Sequence, residues 1–242
     1  MKPVSDRRLS DLVSVGVLTR TFPPAVVDEV VAAVGRTEQR HRSLPARVMA
    51  YFAIALGLHS EGSYEDVLSL LTDGLSWASG WNEEWKLPSK SAIFQARARL
   101  GAAPVEALFR RVAAPLAVTE TPGAWAAGRR LVAIDGTTLD VADTAANDEW
   151  FGRAGVNKGE RAAFPLARVV AVAECATHAI FDAEVGGYHT GENTLAVGLV
   201  DRFEPGMLVL ADRGFCGYPL WQRASLSSCL CERGSFGCRV SG

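Results

Sequence analysis

A chain of 242 residues can bury one large core or two modest ones. With 48% hydrophobic and 21% charged residues it has the composition of a folded globular protein, and no apolar stretch reaches the roughly 20 residues a bilayer requires. No membrane partner is expected, and the cytoplasm is the default location. The net charge of −2 offers no overall attraction to nucleic acid, so any DNA contact must come from a local basic patch.

Residues 1–117 read as a helical domain. Met1 to Arg8 lead into an acidic, amphipathic segment and not into a signal-peptide core. Pro23-Pro24 open a helix over Ala25–Val34 that Gly35 stops. Leu44–Leu58 is nearly all apolar, which predicts a buried central helix ending at Gly57. Ser63 is the expected N-cap of the next helix, with Glu65 and Asp66 in its first turn and Val67, Leu68, Leu70 and Leu71 on the inner face. Trp77, Trp81 and Trp85 recur every fourth residue, the spacing of a packing stripe. Ser89 or Ser91 caps a helix over Ala92–Leu100 closed by Gly101, and Pro104 begins a last helix to about Leu116.

Residues 118–128 mix turn formers and small residues and read as a linker. Beyond it the hydrophobic period shortens. Leu131–Ile134, Ala167–Ala173, Ala179–Val185 and Met207–Leu210 are short runs bounded by turns or charge, and Thr190–Phe203 reads as a helix between the last two. The order strand, strand, strand, helix, strand predicts a mixed sheet whose fourth strand returns parallel beside the first. Residues 129–224 would form this second domain. Residues 225–242 lose all periodicity after a helix begins at Tyr218 and read as an aberrant, frameshifted tail.

Asp135 and Asp212 each close an apolar run, in Ala133-Ile134-Asp135-Gly136 and Leu210-Ala211-Asp212-Arg213-Gly214. Either aspartate alone is a common turn residue before glycine. Together they fall on the first and fourth strands, which are neighbours in the core order of ribonuclease-H-like nucleases. The expected fold class is therefore α+β/α/β, a helical N-terminal domain followed by a partial ribonuclease-H-like mixed sheet. Two carboxylates converging there suit hard cations such as Mg²⁺ or Mn²⁺. A pair of such ions about 4 Å apart can activate a water or 3′-hydroxyl for in-line displacement at phosphorus.

These residues also resemble a family. Ala133-Ile134-Asp135-Gly136-Thr137-Thr138 and Leu210-Ala211-Asp212-Arg213-Gly214-Phe215 look like the first two acidic motifs of bacterial insertion-sequence DDE transposases of the insertion element 4 group. Leu166–Ala179 and Gly187–Glu192 resemble the segments between those motifs, and about Asp6–Leu116 resembles that group's N-terminal domain. The resemblance, over about residues 5–224, implies cut-and-paste DNA transposition. It implies Asp135 and Asp212 as catalytic metal ligands in a two-metal site and double-stranded DNA (terminal repeats and target) as partner. It also implies a homo-oligomer on paired ends and a bacterial, nucleoid-associated setting. Arg213 would hold a backbone phosphate, or else form a surface ion pair; Phe215 would pack in the core. The family's third acid lies in a Tyr-x2-Arg-x3-Glu-x6-Lys pattern that this sequence lacks, so the site has no third acid and impaired activity is expected. Glu232 is the only acid after Asp212.

Other groups carry less. Asp140, Asp143 and Asp148 read as a solvated turn. Glu184 and Glu192 are further candidates as metal ligands, although Glu192 sits in a helical first turn, where a carboxylate satisfies the dipole without a catalytic duty. The four histidines are scattered. Cys229, Cys231 and Cys238 match no common zinc spacing. Lys90, Arg97 and Arg99, with Arg110 and Arg111 following, form the best basic set for DNA, in the manner of a helix entering a major groove. Solvated helix faces account for them equally, as they do for Arg36, Arg40, Arg42 and Arg47. Three readings follow: a DDE transposase impaired by the missing acid, a non-catalytic DNA-binding remnant or inhibitor, and an unrelated metal-dependent phosphohydrolase.

Overall fold

The computed structural model describes residues 16–40, 42–79, 87–155, 161–215, 217–226 and 230–233. They belong to two compact units, Met1–Val112 and Ala113–Gly242.

The first unit is helical. Pro23 caps α1 (Pro24–Ala33) and Pro24, at its first position, supplies a helical φ without wasting a donor. Val27, Val30 and Val31 turn inward, and Gly35 at φ 68° leads the chain out of the helix. Helix α2 (Ala46–Leu58) runs one residue past Gly57 and buries residues on most of its surface, among them Met49, Ala50, Tyr51 and Phe52. The Tyr51 hydroxyl donates to the Phe22 carbonyl at 2.5 Å. Burial pushes its pKa up to about 12, so the donor proton stays in place at neutral pH.

Helix α3 (Tyr64–Ser79) starts from a reciprocal cap. Ser63 Oγ accepts from the Asp66 amide at 3.2 Å, while Asp66 Oδ2 accepts from the Ser63 hydroxyl at 2.7 Å. Ser89 caps α4 (Lys90–Leu100) by accepting from the Ala92 amide at 3.3 Å, and Gly101 at φ 72° ends it. Helix α5 (Ala103–Val112) stops about four residues earlier than the apolar pattern suggested. Val67, Leu68, Leu71, Ile93, Ala96, Leu100 and Leu108 complete one core. The backbone of Trp77 lies in α3, but its side chain, like Trp81 and Trp85, lies outside the described residues.

The second unit is built on a sheet of order β4-β3-β2-β5-β6, with β1 added on β2. Its strands are β1 (Trp125–Ala126), β2 (Arg129–Asp140), β3 (Leu166–Glu174), β4 (Ile180–Gly187), β5 (Met207–Ala211) and β6 (Leu230–Arg233). β2, β3 and β4 form an antiparallel meander. A short helix α6 (Ala145–Phe151), capped by Thr144, follows β2 where only a turn was expected. After β4 the chain crosses over through α7 (Glu192–Leu199) and a short 3₁₀ turn (Val200–Arg202), so β5 lies parallel beside β2. Helix α8 (Tyr218–Leu226) follows β5. Val132, Ile134, Val170, Val172 and Val209 meet Ala196, Leu199, Leu220 and Ala224 from the helices in a second core.

Two expectations change here. Residues 118–128, read as a linker, are bound into the second unit. Trp125 Nε1 donates to the Val118 carbonyl at 3.0 Å, Ala124 is fully buried, and Trp125–Ala126 pair with Arg129–Arg130. Residues 225–242, read as aperiodic, contribute the end of α8 and a strand, since β6 pairs parallel with β5 in the register Leu208↔Leu230 to Ala211↔Arg233. Backbone groups along the β5 edge need partners whatever the side-chain pattern of the segment that supplies them. Cys216, Cys229 and Cys238 lie outside the described residues.

A buried acid ties the start of this unit together. Glu174, 0% exposed at the end of β3, ion-pairs with Arg130 and accepts from Thr177 Oγ1 at 2.6 Å and from the Leu116 and Ala117 amides at 3.1 and 2.7 Å. Burial pushes this carboxyl up, but hydrogen bonds from Thr177, Ala117, Arg130 and Leu116 outweigh it and hold the group below its ordinary value. Pro115, which has no N–H and disfavours a helical Ala114, accounts for the early stop of α5, and the Leu116 and Ala117 amides beyond it are taken by this carboxylate.

Candidate active site

Asp135 does not sit at a strand end. β2 continues through Gly136 to Asp140, paired with β3 as Asp135↔Ala171 and Gly136↔Val170, because Thr137 and Thr138 favour the extended backbone. The strand that ends here is β5, whose last pair with β2 is Ile134↔Ala211. Asp135 and Asp212 are each the next residue after that pair. They therefore stand side by side on neighbouring parallel strands, whose backbones run about 4.8 Å apart.

Both aspartates are exposed. Asp135 Oδ1 accepts from the Gly136 amide and Asp212 Oδ1 from the Gly214 amide, each at 2.8 Å. The turn after Asp212 is held from two directions. Phe215, in the 3₁₀ turn Arg213–Phe215, is 1% exposed in the core, and Asn193 Nδ2 donates to the Gly214 carbonyl at 2.8 Å. Arg213 is exposed and forms no ion pair among the described residues.

A third carboxylate approaches from the crossover. A Cβ built on Gly136 would meet Glu192 Cδ at 2.9 Å and its Oε1 at 3.1 Å, so glycine is what admits this side chain against β2. Arg168, opposite Thr138 on β3, is 3.8 Å from Glu192 Oε1 and lies 5.6 Å from the Tyr188 ring centroid, while its Nε is buried without a hydrogen bond. Sequence reasoning gave Arg168 no role. The available signal was a cation inside an otherwise apolar strand, where it must find partners. Replacing Gly136 with alanine is expected to displace Glu192 and break its approach to Arg168, at about 1–3 kcal/mol of stability. Urea denaturation checks this, and Gly136→Ala combined with Glu192→Ala should recover most of the loss.

The other acids are occupied differently. Asp143 and Asp148 both hydrogen-bond Arg153, whose pKa they raise, which makes them a structural ion-pair network around α6. Among the described residues no three His, Cys, Asp or Glu side chains group as a metal cage. Asp135 and Asp212 themselves offer oxygen donors from adjacent strands, which fits a hard divalent cation and not a thiolate-seeking one.

In the helical unit the basic residues of α4 divide. Lys90 is 3.6 Å from Glu65, and the Arg97 guanidinium hydrogen-bonds Tyr64 while lying 5.1 Å from its ring centroid, so both lean on α3. Arg99, about 200° further round the helix than Arg97, points elsewhere, into a concavity with Arg36, Arg40 and Arg42.

Two families match this chain. Residues 12–110 match the insertion element 4 transposase N-terminal family, and residues 126–229 match the transposase DDE domain. The chain belongs to the insertion element 4 family of DDE transposases. Two similar proteins come from Escherichia coli (strain K12). The transposase InsG for insertion sequence element IS4 is 29% identical over 204 residues, 84% of this chain and 44% of that one. The putative transposase InsZ is 26% identical over 211 residues, 87% of this chain and 68% of its own length. The chain thus spans less than half of the first of these relatives. For a transposase DDE domain a divalent metal is the general requirement, and Asp135 and Asp212 both lie inside the matched segment. Among the described residues of this transposase-family chain, no helix is long and apolar enough to cross a membrane.

Proposed function

We propose that this chain takes part in DNA transposition, with Asp135 and Asp212 as the ligands of a divalent cation, Mg²⁺ or Mn²⁺, in a ribonuclease-H-like catalytic core. The observation that carries this reading is the parallel register Ile134↔Ala211, which leaves the two aspartates adjacent at the end of β5. A bound cation would supply Lewis acidity and a nucleophile at neutral pH. The chain's own part is to hold the two carboxylates in place. The Gly136 and Gly214 amides fix one oxygen of each, and Phe215 and Asn193 fix the turn that carries Asp212. Arg213, exposed and unpaired among the described residues, is assigned to a DNA backbone phosphate.

The partner in this reading is double-stranded DNA, both terminal repeats and target, in the bacterial cytoplasm and nucleoid. The helical unit supplies DNA contacts: of the expected set Lys90, Arg97 and Arg99, the first two are taken up against α3 and Arg99 is left for DNA, and two copies act on paired ends. Because the sequence holds no Tyr-x2-Arg-x3-Glu-x6-Lys pattern, these 242 residues by themselves are assigned DNA binding with weak or absent strand transfer. The test pairs a gel shift on terminal-repeat duplexes with strand cleavage in Mg²⁺. Binding with weak cleavage that Asp135→Asn removes is the expected result. Binding with no cleavage under any metal favours the remnant or inhibitor reading. No binding even at low salt defeats the proposal.

A further inference from the structure

Charge of one sign collects in a concavity of about 450 Å³ within the helical unit, between the loop after α1 and the C-terminal end of α4. Arg36, Arg40, Arg42 and Arg99 line it, over an apolar floor that includes Met49 and Leu100. Its one carboxylate, Glu38, is engaged by the Ala46 amide. Arg36 serves the fold, since it donates to the Arg99 carbonyl at 3.2 Å and lies 3.5 Å from where a Gly101 Cβ would stand. A cation there complements the carbonyl end of α4 and fastens the loop to the helix.

The side chains of Arg40, Arg42 and Arg99 make no comparable bond. All three are exposed, and none has an ion-pair or hydrogen-bond partner among the described residues through its side chain. Other basic side chains do: Arg47 binds Asp28, Lys90 binds Glu65, Arg110 binds Glu106 and Arg223 binds Asp201. Like charges gathered without counter-charge repel one another and disfavour the compact state unless an anion occupies the space. Planar guanidinium groups bind phosphate oxygens in pairs, and several in one recess suit a run of neighbouring phosphates better than a single free ion.

We infer that this recess is a seat for the phosphate backbone of duplex DNA, with Arg40, Arg42 and Arg99 making the contacts and Arg36 positioning the loop. The inference rests on the DNA-binding reading above but moves the contact surface. Lys90 and Arg97, the α4 residues turned toward α3, are not part of it.

The test is fluorescence anisotropy of the full chain with a labelled duplex of about 30 base pairs, titrated across a salt series. For Arg40→Ala with Arg42→Ala, affinity at low salt should fall about tenfold or more, and the slope of log K against log salt should drop by about two. Arg99→Ala should lower that slope by about one. Lys90→Ala with Arg97→Ala should change affinity less than about twofold. The altered loop residues are exposed, and circular dichroism confirms that each variant remains helical. An unchanged affinity and slope in the Arg40/Arg42 variant overturns the inference, as does a loss confined to the Lys90/Arg97 variant. If the unaltered chain fails to bind the duplex, the proposed function falls instead.

Discussion

Glu174→Ala is expected to cost the second unit about 3–5 kcal/mol, the loss typical when one partner of a buried ion pair is removed. Four interactions disappear at once: the Arg130 ion pair, the Thr177 hydroxyl and the amides of Leu116 and Ala117. Arg130 would be left stacked on Trp125, 4.7 Å from the ring centroid, with no counter-charge, and two backbone donors would lose their acceptor. Glu174→Gln keeps one carbonyl acceptor and should lose less. Tryptophan fluorescence in a urea titration measures both, and a change under about 1 kcal/mol for the alanine variant would show that the network is dispensable.

The same group sets an acid limit. Its pKa in the folded unit lies below the ordinary carboxylate value of 4.5. Its stabilisation is therefore fully present above that ordinary value, and it fades as pH falls toward and through the depressed folded value. The acid sensitivity of the second unit should weaken in Glu174→Gln, which has nothing to protonate.

Asp135→Asn and Asp212→Asn should each abolish divalent-cation binding between the two aspartates while leaving stability nearly unchanged, because both side chains are exposed. Losing a ligand should weaken Mn²⁺ binding by more than the roughly 10–100-fold that losing an outer partner costs. Electron paramagnetic resonance of a Mn²⁺ titration gives the affinity without depending on catalysis. Any Mg²⁺-dependent strand cleavage should fall to background in either variant, and the double variant should be no worse than the singles, since the two carboxylates act as one unit. Equal Mn²⁺ affinity in parent and variants would remove the pair from consideration as a metal site.

The helical half was legible where local chemistry decides structure. Ser63, Ser89, Gly35, Gly101 and Pro24 mark helix ends through hydrogen bonds and φ values set within a few residues, and all five act there. The end of α5 is marked by Pro115, a local signal that the apolar pattern obscured, whereas the acceptor that takes the Leu116 and Ala117 amides was not legible, since it lies some 57 residues away in sequence. Residues 118–128 mislead for a related reason: small residues and turn formers describe a tight, hydrogen-bonded corner as well as a linker.

At the candidate site, the linear pattern of residues settles which carboxylates close apolar runs and in what order strands and helix follow. Order and a helical crossover suffice to bring β5 parallel beside β2, since connection length and handedness leave few alternatives. Where the partner strand stops is a matter of three-dimensional pairing, and it makes Asp135 a mid-strand residue adjacent to Asp212. The same holds for Glu192 resting on Gly136, for Lys90 and Arg97 turning toward α3, and for Arg99 joining Arg36, Arg40 and Arg42. Register, edge pairing and the neighbours of a charged side chain are properties of segments far apart in the chain, and no local pattern encodes them.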